Sequence, residues 1–261
     1  LRSQNYEYRS VRNNTLEFDI HDWKTSPYSC FKARIYIELS TLFAFFFKNT
    51  SLTPNHISII YGICGVIAGL CLASNINYLM VSGLIIFFLK GSLDWTDGFI
   101  AKIKNQKSSV GHILDTWGSH IGGLSLITSI GFYCYNNTQN DIYLFLTIII
   151  LFLRIIDFKF FAFHQLFYEL FNKDNNIEIE RKNIEKGIKQ TNIFAKIIKN
   201  FMDDRARTVD LVCLLIFIEI FFSINNFSKI ILGLYLIKTI IFFLGTFYVY
   251  YYKDALQKKI K

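Results

Sequence analysis

The chain has 261 residues and a net charge of +8; 52% of its residues are hydrophobic, 17% aromatic and only 18% charged. Long apolar blocks exclude a disordered chain and an ordinary soluble domain. The 5 cysteines, at positions 30, 64, 71, 134 and 213, are odd in number and lie mostly inside apolar runs, so they form neither a disulfide scaffold nor a zinc motif.

Residues 1–34 are polar and carry both signs of charge. They contain no basic stretch followed by a cleavable apolar core, so no signal peptide is expected there. Residues 35–47 (IYIELSTLFAFFF) are apolar but too short to span a bilayer, and predict an interfacial helix. Thr53 followed by Pro54 is a helix start: a hydroxyl cap, then a ring that needs no N–H partner. Against the roughly 20 residues that a membrane helix needs, six spans are expected near 55–73, 78–103, 109–135, 142–166, 209–223 and 227–251. A polar cytoplasmic link of mixed charge covers 172–205, and 253–261 form a basic tail. The expected fold is an all-α polytopic membrane protein, with six transmembrane helices plus the interfacial helix in one membrane domain over 35–252.

Charge sorts the connections. Links 74–77, 136–140 and 223–227 contain no Lys or Arg. The opposite side holds Lys102, Lys104, Lys107, the basic residues of 173–207, and Lys253, Lys258, Lys259 and Lys261. Basic loops stay cytoplasmic. Both termini and the turn after the second span are therefore expected inside, and the positive charge reads as membrane topology with no nucleic-acid partner.

The chemistry gathers at that cytoplasmic turn. Asp94, Asp97 and Asp115 lie where an ionised side chain costs roughly 2.5–3.5 kcal/mol to insert. At about 100° per residue, Asp94, Asp97 and Ala101 share one helix face, and Gly111 and Asp115 share a face of the next helix. Residues 103–108 form a turn short enough to set the two helices side by side. Three carboxylates that converge need a cation. Hard oxygen donors without Cys or clustered His favour Mg2+ or Mn2+. Small Gly98, Ala101 and Gly111 admit a ligand to the backbone, and Lys102 offers a charge to phosphate. A purely structural reading would pair the acids with Lys90, Lys102 or Lys104.

The pattern resembles the CDP-alcohol phosphotransferase family, whose motif reads Asp-x2-Asp-Gly-x2-Ala-Arg-x8-Gly-x3-Asp-x3-Asp. Asp94, Asp97, Gly98, Ala101, Gly111 and Asp115 stand at the matching intervals, with Lys102 in place of Arg and Ser119 in place of the fourth Asp. Thr53-Pro54-Asn55, the interfacial helix and the six-span layout are similar too, so the likeness covers roughly 35–250. The resemblance implies a membrane transferase in phospholipid or related synthesis. An acceptor hydroxyl attacks the β-phosphorus of a CDP-alcohol (CDP-diacylglycerol or a CDP-polyol), and CMP leaves. Asp94, Asp97 and Asp115 would hold one or two metal ions; Gly98, Ala101, Lys102 and Gly111 would bind the nucleotide. The acceptor would be a lipid or a polyol, the site would face the cytoplasm, and the protein would be a homodimer among membrane lipids.

Ser119 has no useful basicity, which makes His112 and His120 the candidates for the general base. His112 falls on the Asp115 side of its helix, whereas His120 points away unless Gly118, Gly122 and Gly123 distort the helix. Arg154, Arg205 and Arg207 are candidate acceptor contacts. Two other function classes compete. One is a CDP-alcohol-binding pseudoenzyme, motivated by Ser119. The other is a transporter, against which the acids cluster at one end and the spans show no paired breaks.

Overall fold

A computed structural model describes residues 27–106, 108–156, 206–223 and 226–252. Among them every regular element is a helix: α1 Pro27–Phe47, α2 Pro54–Ala73, α3 Asn77–Leu89, α4 Gly91–Ile103, α5 Ser109–Thr138, α6 Ile142–Ile155, α7 Ala206–Phe222 and α8 Phe227–Tyr252. The all-α expectation is met. Three stretches are long and apolar enough to cross a membrane: Pro54–Ala73, Asn77–Ile103 and Phe227–Tyr248. The other three expected spans are less plain. α5 carries the site residues, α7 has 17 residues and holds Asp210 and Glu219, and α6 has 14 residues, with residues 157–166 of the expected block lying outside the described residues.

The first helix is longer than expected. It starts at Pro27, not at 35, and takes in Lys32 and Arg34. Proline at the first helical position needs no N–H partner. Counting only apolar residues cut this helix at Arg34, its last basic residue.

The chain divides into two compact units, residues 1–139 with 205–228, and residues 140–204 with 229–261. In the second, the Arg154 guanidinium of α6 lies 5.9 Å from the Tyr235 ring centroid of α8. The first is built around α2, which packs most extensively on α5 and also on α3 and α4, while α1 packs on α4 and α7 on α3.

Lipid tails are as apolar as leucine, so membrane helices associate through close packing and not through hydrophobic exclusion. The α2–α5 seam shows how. A Cβ on Gly65 would lie 2.9 Å from the Gly122 Cα, one on Gly62 2.7 Å from the Trp117 ring, and one on Gly118 3.2 Å from the Ser58 carbonyl oxygen. Missing side chains thus bring the two backbones together along several turns. At the head of the seam Thr53 caps α2: its hydroxyl accepts from the His56 N–H at 3.4 Å, and His56 Nδ1 accepts from the Thr53 N–H at 3.3 Å. The histidine closes a reciprocal cap that usually takes Glu or Gln.

α3 and α4 form one apolar run with a break at Lys90–Gly91, where the Leu93 N–H reaches the Lys90 carbonyl at 2.9 Å. α1 straps this break. The Tyr36 hydroxyl donates to the Phe88 carbonyl at 2.7 Å, and the Ser40 hydroxyl donates to the Ser92 carbonyl at 2.6 Å. Gly91 makes room, since a Cβ there would press on the Tyr36 ring. Lys32 of α1 forms a buried ion pair with Asp210 of α7. Below the strap, Ala44, Ile57, Phe99 and Ile100 form a buried cluster flanked by Phe47, Trp95 and Ile103.

Candidate active site

α4 ends with Asn105 in the left-handed region (φ 52°), and the Gln106 N–H returns to the Ala101 carbonyl at 2.9 Å. This is a Schellman-type stop. The Lys104 ammonium donates to the Thr50 and Leu52 carbonyls, each at 2.8 Å, tying the turn to the entry of α2. Ser108 caps α5 by accepting from the Gly111 N–H at 3.0 Å. The turn therefore reverses the chain as expected, and α4 and α5 meet through the Asp94 and Asp115 side chains while packing more extensively on a third helix. Each docks on α2, which contributes a wall of the site.

On that wall the acids come together. The side chains of Asp94 and Asp115 are hydrogen-bonded to each other, across the two helices. Asp97, 9% exposed, accepts from the Ser58 hydroxyl of α2 and lies within electrostatic reach of both other acids. Buried Tyr61, one turn further along α2, is hydrogen-bonded to the Ser119 side chain and lies within reach of all three carboxyl groups. Lys90, at the helix break, places its ammonium 4.2 Å from the Tyr61 ring centroid and within electrostatic reach of Asp94.

The donor set has the chemistry of a hard-cation site. Two carboxyl groups in contact require a shared proton or a cation, and every donor is oxygen. Among the described residues, no three His, Cys, Asp or Glu side chains are drawn close enough to encircle an ion. The contact pair is Asp94 with Asp115, while Asp97 is turned to Ser58.

The remaining expected residues fall out as follows. Gly98 is exposed, and a Cβ there would meet nothing, so its face of α4 is open to a ligand. Ala101 is half-buried, and Lys102 is exposed. Gly111 is confined, with Asn55 Oδ1 3.1 Å from where a Cβ would sit. Ser119 and His120 are exposed on α5. The side chains of His112 and Arg207, and all of Arg205, lie outside the described residues. Arg154 belongs to the second unit, over Tyr235. Lys104, an expected partner of the acids, holds backbone carbonyls.

Ser58 and Tyr61 escaped the sequence reading. A signal for them exists: they are three residues apart in an apolar span, on the face that carries Gly62, Gly65 and Gly69. A polar side chain on a small-residue face points at the neighbouring helix.

No curated protein matches the chain. Residues 51–179 match the family model of CDP-alcohol phosphatidyltransferase, a range narrower than 35–250 that runs through α2, both acid-bearing helices and α6. The family transfers a phosphate-linked group from a CDP-alcohol, and this chain carries a domain of that family over residues 51–179.

Proposed function

We propose that the protein is an integral membrane transferase that moves a substituted phosphate from a CDP-alcohol to an acceptor hydroxyl. The acceptor oxygen bonds to the β-phosphorus, the bond from that phosphorus to CMP breaks, and the hydroxyl proton passes to a base. The observation that carries this reading is the Asp94–Asp115 contact beside Asp97, within a domain of this family. Asp94, Asp97 and Asp115 hold Mg2+ or Mn2+, one or two ions, which when bound offset charge on the diphosphate. Gly98, Ala101 and Gly111 shape the donor pocket, and Lys102 meets phosphate as a point charge without the fork of arginine. His112 or His120 takes the acceptor proton. Arg154, Arg205 and Arg207 contact the acceptor.

The donor is CDP-diacylglycerol or a CDP-polyol, the acceptor is a lipid or polyol, and the product belongs to phospholipid or related glycoconjugate synthesis. The protein works as a homodimer, with six spans and with both termini and the site on the cytoplasmic side. That orientation is supported by the basic residues near the Asp cluster and by the uncharged links at the other ends of the spans.

One observation favours a second reading. Where the motif has a fourth Asp this chain has Ser119, and that serine is hydrogen-bonded to Tyr61. A protein that binds CDP-alcohols without turning them over would look the same. The deciding experiment is CMP release by the purified protein in detergent, with CDP-diacylglycerol and a panel of CDP-polyols, with and without Mg2+ or Mn2+. The transferase releases CMP only with metal, and Asp97→Asn abolishes it. Metal-dependent donor binding with no CMP from any acceptor establishes the binding protein instead. Solute flux into liposomes without CMP release would point to transport.

A further inference from the structure

The acid cluster is not alone in its pocket. Lys90 leaves the α3–α4 break and threads its side chain into the glycine seam between α2 and α5. A Cβ on Gly122 would overlap the Lys90 ammonium, and one on Gly65 would lie 3.8 Å from it. The ammonium also faces the Tyr61 ring at 4.2 Å and lies within electrostatic reach of Asp94, four residues on in the sequence. A lysine held this far into an apolar span is costly, and a long side chain of this kind normally extends to the headgroups. This one is received by a slot that the absent side chain of Gly122 creates, with Gly65 in contact beside it.

We propose that Lys90 is a positioning residue that acts as an internal cation of the acid cluster, so that the site without donor takes one divalent ion. The proposal rests on the transferase reading above and deepens it. Three carboxylates carry three negative charges, and the seated ammonium cancels one of them. The remaining two match a single Mg2+ or Mn2+. Before the donor's diphosphate arrives, a second dication would bring net positive charge into a partly buried pocket, next to the seated ammonium. Ser119 contributes in the same sense, because its neutral hydroxyl is bonded to Tyr61 where the motif would supply a fourth carboxylate. Lys90 orders the cluster through Asp94 and does not meet the substrate.

The test counts Mn2+ on the full chain in nanodiscs, by equilibrium dialysis and by electron paramagnetic resonance, alongside CMP release. With no donor present, one Mn2+ per chain without spin–spin coupling is expected. Two ions, with a coupled signal and active CMP release, would overturn the proposal and leave the transferase standing. No bound ion and no CMP release would overturn both.

Lys90→Met then removes the charge at similar length. Mn2+ should bind about tenfold tighter or more, because a repelling charge is gone, and CMP release should fall. Gly122→Ala leaves every charge in place and only fills the slot, so it serves where Lys90→Met does not fold. It should shift Mn2+ affinity in the same direction by expelling the ammonium. A folded variant of either kind whose Mn2+ affinity is unchanged or weaker overturns the proposal. A lysine that only supports the fold has no route to tighter metal binding.

Discussion

The glycines of the first unit divide into two kinds. Gly98 faces open space, whereas Gly62, Gly65, Gly118 and Gly122 are pressed by a neighbouring helix or by Lys90. Substitutions should separate accordingly. Gly98→Ala is expected to hold or raise the unfolding temperature, since alanine is better than glycine in a helix by about 0.5–1 kcal/mol. The same change should weaken CDP-alcohol binding about tenfold, about 1.4 kcal/mol, as read by calorimetric titration. Gly65→Val should do the reverse first: overpacking against Gly122 costs about 1–3 kcal/mol, visible as a lower unfolding temperature in detergent. For the base, His112→Ala or His120→Ala should cut kcat about 100-fold with CDP-alcohol binding retained; if both variants keep full turnover, the proton leaves by another path. The acids and the small residues between them were legible in the sequence because an ionisable side chain in an apolar span demands an explanation. Ser58 and Tyr61 were not, because a hydroxyl in a span is cheap and common. Only the glycine spacing of α2, read together with α5, reveals which way they point.

Helix ends and breaks place these residues. The start of α2 could be read from Thr53 and Pro54, and the ends of most helices fall within a few residues of the expected spans. Two features could not be read. Lys90 and Gly91 sit inside a run whose hydropathy never drops enough to announce a break, and α1 begins among charges that a hydropathy reading rejects. Both are settled by tertiary contact. Lys32, which charge counting treats as a loop anchor, is buried against Asp210 and faces the Tyr36 ring at 4.8 Å. Removing one partner leaves the other charge buried. Lys32→Met should therefore destabilise the protein by about 3–5 kcal/mol, and Lys32→Met with Asp210→Leu by much less. Thermal unfolding of the single and double variants checks this. Equal losses in both would mean that packing, not charge, holds α1 to α7.

Within the first unit, α2 contributes a polar wall, a glycine seam and the docking face for both acid-bearing helices, so α2 is the shared support of the site. Sequence reading finds helices one at a time, and it paired the two helices that a short turn joins. The third helix, which meets both, lies about forty residues earlier and has no signature of its own beyond its small residues. A further consequence follows from the strap at the helix break. α1 exposes Phe31, Leu42 and Phe46, side chains suited to the boundary between headgroups and acyl chains, while Tyr36 and Ser40 grip the carbonyls of Phe88 and Ser92. Asp94 begins two residues beyond that grip. If α1 lies in the membrane interface, as its sequence predicts, a change in leaflet thickness that tilts it would be transmitted through this grip to the first carboxylate. Turnover should consequently differ between vesicles of short-chain and long-chain phosphatidylcholine, and Tyr36→Phe combined with Ser40→Ala should flatten the difference. On this view the lipid is a mechanical input to the chemistry as well as its surroundings.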